Sequence, residues 1–159
     1  MKVKDLVQEL EDKDCYKNFK EKYPDLFFSA GFFILDLQEK SEQLQLDYFL
    51  PNEQKLAAFE FPFGEPKIHD DEIEKATSQT LEIKIDIDDL ENKSLEIIKE
   101  NESDLKPTKI ISILKDDVWN LTCMNDVLGI VRIKINAVTG ELIDFSKGSL
   151  MDFMGIKKK

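Results

Sequence analysis

A chain of 159 residues, 42% of them hydrophobic and 11 of them Phe, can bury one substantial core or two small units sharing a sheet, which excludes a disordered segment. Its 33 acidic residues against 22 basic ones give a formal net charge of -11. That field repels phosphate backbones and anionic lipid headgroups, so neither nucleic acid nor a membrane surface is an expected partner.

Charges interrupt the apolar residues of MKVKDLVQEL, leaving no h-region of a secretion signal, and no apolar run nears the roughly 18 residues of a membrane span. Cys15 and Cys123 lack the C-x-x-C spacing and suit buried thiols in a reducing compartment. The expected location is the cytoplasm.

Val3, Leu6, Val7 and Leu10 share one helical face, which Tyr16 and Phe19 extend, and the helix must stop before Tyr23-Pro24. Phe27 to Leu37 carries the aromatic pairs Phe27-Phe28 and Phe32-Phe33 around Ser29-Ala30-Gly31, the pattern of a buried strand with a bulge at the glycine. Strands at Leu44 to Tyr48 and Leu56 to Phe61 follow, joined through Pro51-Asn52. Pro62 to Asp71 breaks the pattern and divides a first unit, residues 1–66, from a second, residues 67–159, within one compact body.

Leu81, Ile83, Ile85 and Ile87 alternate with Glu82, Lys84, Asp86 and Asp88, which predicts a half-buried strand with the two aspartates on its wet face. Asp88 or Asp89 then caps a helix carrying Leu90, Leu95, Ile97 and Ile98, ending near Ser103. Lys109 to Leu114, Val118 to Met124, Gly129 to Ile135 and Glu141 to Phe145 are the remaining strands. At the C-terminus Leu150, Met151, Phe153, Met154 and Ile156 form an apolar cluster. Leu150, Phe153 and Met154 have the spacing of a short helix, which either closes the core or forms a contact with a peptide or a second copy, making a homodimer. Lys157, Lys158 and Lys159 read as a solvated tail.

An offset of 119 − 33 = 86 positions sets Phe33 on Trp119, Leu35 on Leu121, Phe49 on Ile135, Leu56 on Leu142 and Phe59 on Phe145. A shared register of apolar positions is the mark of repetition in sheets, so two divergent α-β-β-β repeats are expected. In the second of them Trp119-Asn120-Leu121, then Gly129 to Asn136, then Val138-Thr139-Gly140-Glu141-Leu142-Ile143 resembles the PepSY domain over roughly Leu90 to Phe145. That family's pattern is a helix, a strand with Trp, a second strand, a turn ending in Thr-Gly-Glu/Lys, and a third strand. The resemblance implies a fold with Trp119, Thr139 and Gly140 in structural roles, and a regulatory or binding module of the kind found in peptidase propeptides, commonly outside the cytoplasm. It implies no catalytic residue.

Chemistry-bearing constellations reduce to structural readings. His69-Asp70-Asp71-Glu72 unites the sole histidine with three acids that point in different directions, and a helix start uses them equally well. Asp86, Asp88, Asp89 and Glu91 fail the calcium-loop pattern, because Leu90 and Glu91 stand where a polar ligand and a glycine are needed. Cys15 or Cys123 paired with His69 would make a nucleophile, yet both thiols fall on apolar faces where burial raises the thiol pKa. No catalytic, metal or cofactor site is therefore expected.

The resulting expectation is an α+β protein, antiparallel β-sheet meanders with helices packed on one face, acting as a non-catalytic cytoplasmic binding or regulatory module. It would engage a protein or peptide through a sheet edge or the concave face opposite its helices. The alternative is a small-molecule carrier whose Phe27-Phe28 and Phe32-Phe33 pairs line a pocket between helix and sheet. A third class, an enzyme working with carboxylates alone, requires two acids close together in a cleft.

Overall fold

Alternation of apolar and polar side chains along eight segments builds a single antiparallel sheet in the computed structural model, which describes residues 1–101 and 103–149. Its strands are β1 Phe27–Asp36, β2 Ser41–Leu50, β3 Lys55–Glu60, β4 Lys67–Ile68, β5 Lys109–Lys115, β6 Val118–Met124, β7 Gly129–Asn136 and β8 Leu142–Ser149. They lie in the order β4-β3-β2-β1-β5-β6-β7-β8, so the central β1–β5 pair joins the two halves of the chain. Phe33 stands opposite both Leu44 and Ser112, and Ser112 opposite Leu121, which places all four on one face. The cluster of buried side chains sits on that face.

Three helices cover it: α1 Val3–Glu11, α2 Asp14–Lys22 and α3 Leu90–Glu100. α1 buries Val3, Leu6, Val7 and Leu10, at the spacing of three and four that one helical face requires. α2 lays Tyr16 over Tyr48 and Phe59, with ring centroids 5.4 and 6.0 Å apart, and sets Phe19 edge-on to Phe59 at 5.7 Å. α3 turns Leu90, Ser94, Ile97 and Ile98 inward, and Ser94 meets Cys123 of β6. The hydroxyl of Ser112 is fully buried with no hydrogen-bond partner among the described residues. Ser112→Ala removes that uncompensated desolvation, and chemical denaturation is expected to show a gain of about 1 kcal/mol.

The single N-terminal helix read from the sequence is in fact two. The chain breaks at Asp12 and Lys13, and Asp12 N–H bonds back to Gln8 O while Lys13 N–H bonds to Leu10 O. The break lets α2 swing its rings over β2 and β3. The irregularity in β1 falls between Phe28 and Ala30, at Ser29, and not at Gly31. β8 runs past Phe145 to Ser149.

Leu81 to Ile87, read as a strand, joins no sheet. Its alternation is real, since Ile85 and Ile87 are buried and Glu82, Lys84 and Asp88 exposed. The partners differ: Lys84 and Ile85 both donate to the single carbonyl of Ala137. An extended segment crossing the ends of other strands shows the same period as a strand in a ladder. Asp86 and Asp88 are accordingly not the wet face of a strand. Asp86 accepts from Ile87 N–H at 2.9 Å and from Val3 N–H at 2.8 Å, and Asp89 accepts from Asp86 N–H at 2.9 Å. This reciprocal box opens a 3-10 turn, Ile87–Asp89, that leads into α3 and ties α1 to it; Asp88 pairs with the Met1 amine. Nor do His69-Asp70-Asp71-Glu72 start a helix; they follow the two-residue β4, with His69 N–H bonded to Leu56 O.

The 86-position offset lays β1 on β6, β2 on β7 and β3 on β8. From the centre, β1, β2 and β3 step outward to one side while β6, β7 and β8 step to the other. β1 and β6, each antiparallel to β5, run in the same direction, and Phe33 touches Trp119 on their shared face at 5.7 Å. Meanders related in that way are mirror images, which no rotation superposes. A two-fold axis perpendicular to the sheet between β1 and β5 instead takes β1 to β5, β2 to β6, β3 to β7 and β4 to β8. In that arrangement the tryptophan strand corresponds to β2.

Candidate interaction surfaces

Because successive side chains on a strand point to opposite faces, each aromatic pair of β1 divides between the two. Phe28 and Phe33 point into the core, where Phe28 meets Tyr48 at 5.7 Å and Phe33 meets Trp119. Phe27 and Phe32 point to the helix-free face, where Phe27 meets Phe49 at 5.6 Å. The pairs therefore do not line a common pocket between helix and sheet. Trp119 is fully buried, and its indole N–H donates to Ile85 O at 2.7 Å. Thr139 and Gly140 build the β7–β8 turn: Asn136 Oδ1 accepts from Val138 and Thr139 N–H, Thr139 Oγ1 accepts from Glu141 N–H, and Gly140 takes φ +84°. Leu150, Phe153 and Met154 lie outside the described residues.

The opposite face of the sheet carries none of the three helices. At its centre Phe32 and Ile34 of β1 stand opposite Ile113 and Ile111 of β5. The four are partly exposed, Ile113 the most at 36%. Asn120 and Thr122 continue these rows on β6, and Gln45 and Gln43 on β2. A hollow of about 200 Å³ opens beside Phe32, lined also by Gln43, Gln45, Glu60 and Phe61. The sequence predicts a buried strand at Phe27 to Leu37 and a further strand at Lys109 to Leu114; that the face bears a central apolar quartet follows only from the β1–β5 pairing, which joins residues 32–34 to residues 111–113.

Asp47 lies on the same face, opposite Ala30 and Ala58. Burial pushes its carboxyl above the ordinary range, against a hydrogen bond from the Gln45 amide at 2.8 Å and the nearby His69, both of which lower it. A carboxyl that holds its proton more tightly folded than unfolded costs stability once both states are ionised. Asp47→Asn is therefore expected to raise the melting temperature at pH 7. The advantage should shrink as pH falls through the raised folded value toward the unfolded one, as parallel melts of the two proteins would show.

The buried ionisable groups on the other side are held toward their neutral forms. Burial pushes the Cys123 thiol up to about 11, with the Ser94 hydroxyl acting weakly against it. Burial likewise raises the Tyr16 phenol to about 12, and the Glu11 carboxylate adds to it. Tyr48 is raised further by burial, and by Glu11, whose carboxylate accepts a hydrogen bond from the Tyr48 hydroxyl at 2.9 Å. A second open depression of about 310 Å³ lies between the β1–β2 turn and α3, lined by Leu35, Asp36, Lys40, Ile87, Asp88 and Glu91 among others. Among the described residues no three His, Cys, Asp or Glu side chains are grouped to hold a metal ion, and no helix is long and apolar enough to cross a membrane.

No protein-family model matches the chain, and no curated protein does. Among solved structures it is similar to a protein of Clostridium difficile 630 named "putative lipoprotein", at 15% identity and a TM-score of 0.52, over 85% of this chain and 91% of that one. At that identity the likeness shows a shared α+β fold.

Proposed function

We propose that this chain is a non-catalytic binding module that engages a protein or peptide through the side of its sheet opposite the helices. The observation that carries the reading is the quartet Phe32, Ile34, Ile111 and Ile113, an apolar centre in cross-strand register on a face that none of the three helices covers. Apolar side chains central to a polar-rimmed surface are the usual core of a protein contact. The helix α3 followed by the meander β5 to β8, with the buried Trp119 on the second of these strands and the positive φ of Gly140, supports its reading as PepSY-like, a class of regulatory and binding modules.

We place the module in the cytoplasm on its two free thiols, Cys15 and Cys123. The name of the Clostridium difficile protein suggests the cell envelope as the competing setting. Fractionation of cells carrying the full-length protein decides between them. Selection of a phage-displayed random peptide library on the immobilised protein tests the function itself. Convergence on a consensus whose synthetic peptide shifts amide resonances of β1, β5 or β6 supports it; a library that never converges counts against it.

A further inference from the structure

The charges around the quartet are distributed unlike those of the whole chain. Lys109 and Lys115 close β5 at its two ends, and Arg132 and Lys134 stand on β7, beyond Thr122 and Asn120. The carboxylates among them are Asp36, opposite Lys109, and Asp144, opposite Lys134. Four cations against two carboxylates make the strands of this half of the face positive on a chain of net charge -11, with Asp116 and Asp117 in the turn after Lys115. Lys109, Lys115 and Lys134 are exposed, and none has a carboxylate within 4 Å among the described residues. On the β2–β3 side, Glu60 and Asp47 against Lys67 of β4 give the face a smaller charge of the opposite sign.

We propose that this face docks an acidic amphipathic helix of a partner protein, with its apolar stripe on Phe32, Ile34, Ile111 and Ile113 and its acidic flank toward Lys115 and Lys134. The inference rests on the binding-module reading and names the partner's chemistry. A helix satisfies its own backbone, whereas an extended segment on a sheet face would leave its N–H and C=O groups without a ladder; helix on sheet is the layer the other side of this fold already uses. Lys109 and Lys115 are about 20 Å apart along the strand, the length of a helix of about 14 residues. The hollow beside Phe32 offers a berth for one large apolar side chain of that helix.

Self-association is the competing outcome: a second copy turned about an axis along the strands would set the positive half of one face over Glu60 and Asp47 of the other. A dimer of the chain alone by analytical ultracentrifugation at the concentrations of the binding test overturns the proposal. An anionic bilayer meets the field of the whole chain at close range, and the quartet, partly covered by its neighbours, does not project far enough to insert.

The test is fluorescence anisotropy on the full chain with a labelled helical peptide of about 14 residues, Leu at the i, i+3, i+4 and i+7 positions and Glu on one flank. A twin with Lys for Glu and phosphatidylglycerol vesicles serve as competitors. Saturable binding of the Glu peptide is expected, weakening with salt and falling about tenfold in the double variant Lys115→Glu with Lys134→Glu. The double variant Lys17→Glu with Lys20→Glu, which changes net charge equally on the exposed side of α2, should leave it unchanged. Photo-crosslinking from the peptide's Leu positions to wild-type protein should label β1 and β5, and needs no variant to fold. Equal binding of the Lys twin, equal loss in both double variants, preference for vesicles, crosslinks elsewhere, or no binding overturns the proposal. A phage selection that converges on non-acidic peptides would sink this inference while sparing the binding-module reading; a selection that never converges removes both.

Discussion

Trp119→Ala is expected to cost about 3–5 kcal/mol, the range for deleting a large buried aromatic, with little recovery by collapse of the site. Trp119 is the largest of the fully buried side chains. It connects three parts of the chain distant in sequence: β6, which carries it, Phe33 of β1, and Ile85 of the segment leading into α3. Truncation leaves a cavity against Phe33 and strands the Ile85 carbonyl in the core without its donor. Ile85 N–H and Lys84 N–H are also bound, to Ala137 O, so the loss should loosen the segment locally as well as the fold globally. Urea melts give the first quantity. Amide exchange gives the second: protection at Lys84 and Ile85 should fall further than protection within β7. Trp119→Phe keeps most of the packing and loses the hydrogen bond, so it should cost distinctly less than alanine. Equal costs for the two substitutions would show that the indole N–H, and not the ring volume, is what the site requires.

The strands were legible in the sequence wherever a segment is wet on one side and dry on the other, which is why Val118–Met124 is read at its true bounds. Periodicity fails where it has a second cause. Leu81 to Ile87 alternates as cleanly as any strand because an extended chain pressed against the core sorts its side chains in the same way, with or without a ladder. It fails again at Asp12 and Lys13, where the apolar spacing continues into Tyr16 and Phe19 and nothing local announces the break. The two-fold order of the sheet was hidden because apolar register reports which face a residue occupies and not which neighbour its strand takes. An offset that matched faces could therefore align β1 with β6, a correspondence of opposite hand. The candidate surface was less legible still. Its apolar centre unites residues almost eighty positions apart, and its positive charge is masked in any sum over a chain so acidic.

Gly31 and Phe33 carry the other large expected effect, which comes from filling space and not from emptying it. They lie on the same face of β1, and the Phe33 ring folds back over the place where a side chain at 31 would begin: a Cβ added to Gly31 would meet Phe33 Cζ at 2.5 Å and Cε2 at 2.6 Å. The glycine is thus the berth that lets the ring reach Trp119. Since Phe33 is fully buried, the ring can clear a new side chain only by leaving its rotamer or pushing into Trp119. Gly31→Val is expected to destabilise by about 3 kcal/mol, near the upper end for overpacking. Phe33→Leu alone should cost about 1–2 kcal/mol through lost volume and ring contact. If the two positions share one space, the double variant must recover part of the loss, with a coupling of about 1 kcal/mol or more in a cycle read from denaturant melts. Strict additivity would mean that Gly31 is required by the backbone at the centre of the sheet and not by the ring. In that case Gly31→Ala should cost as much in the Phe33→Leu background as in the native one.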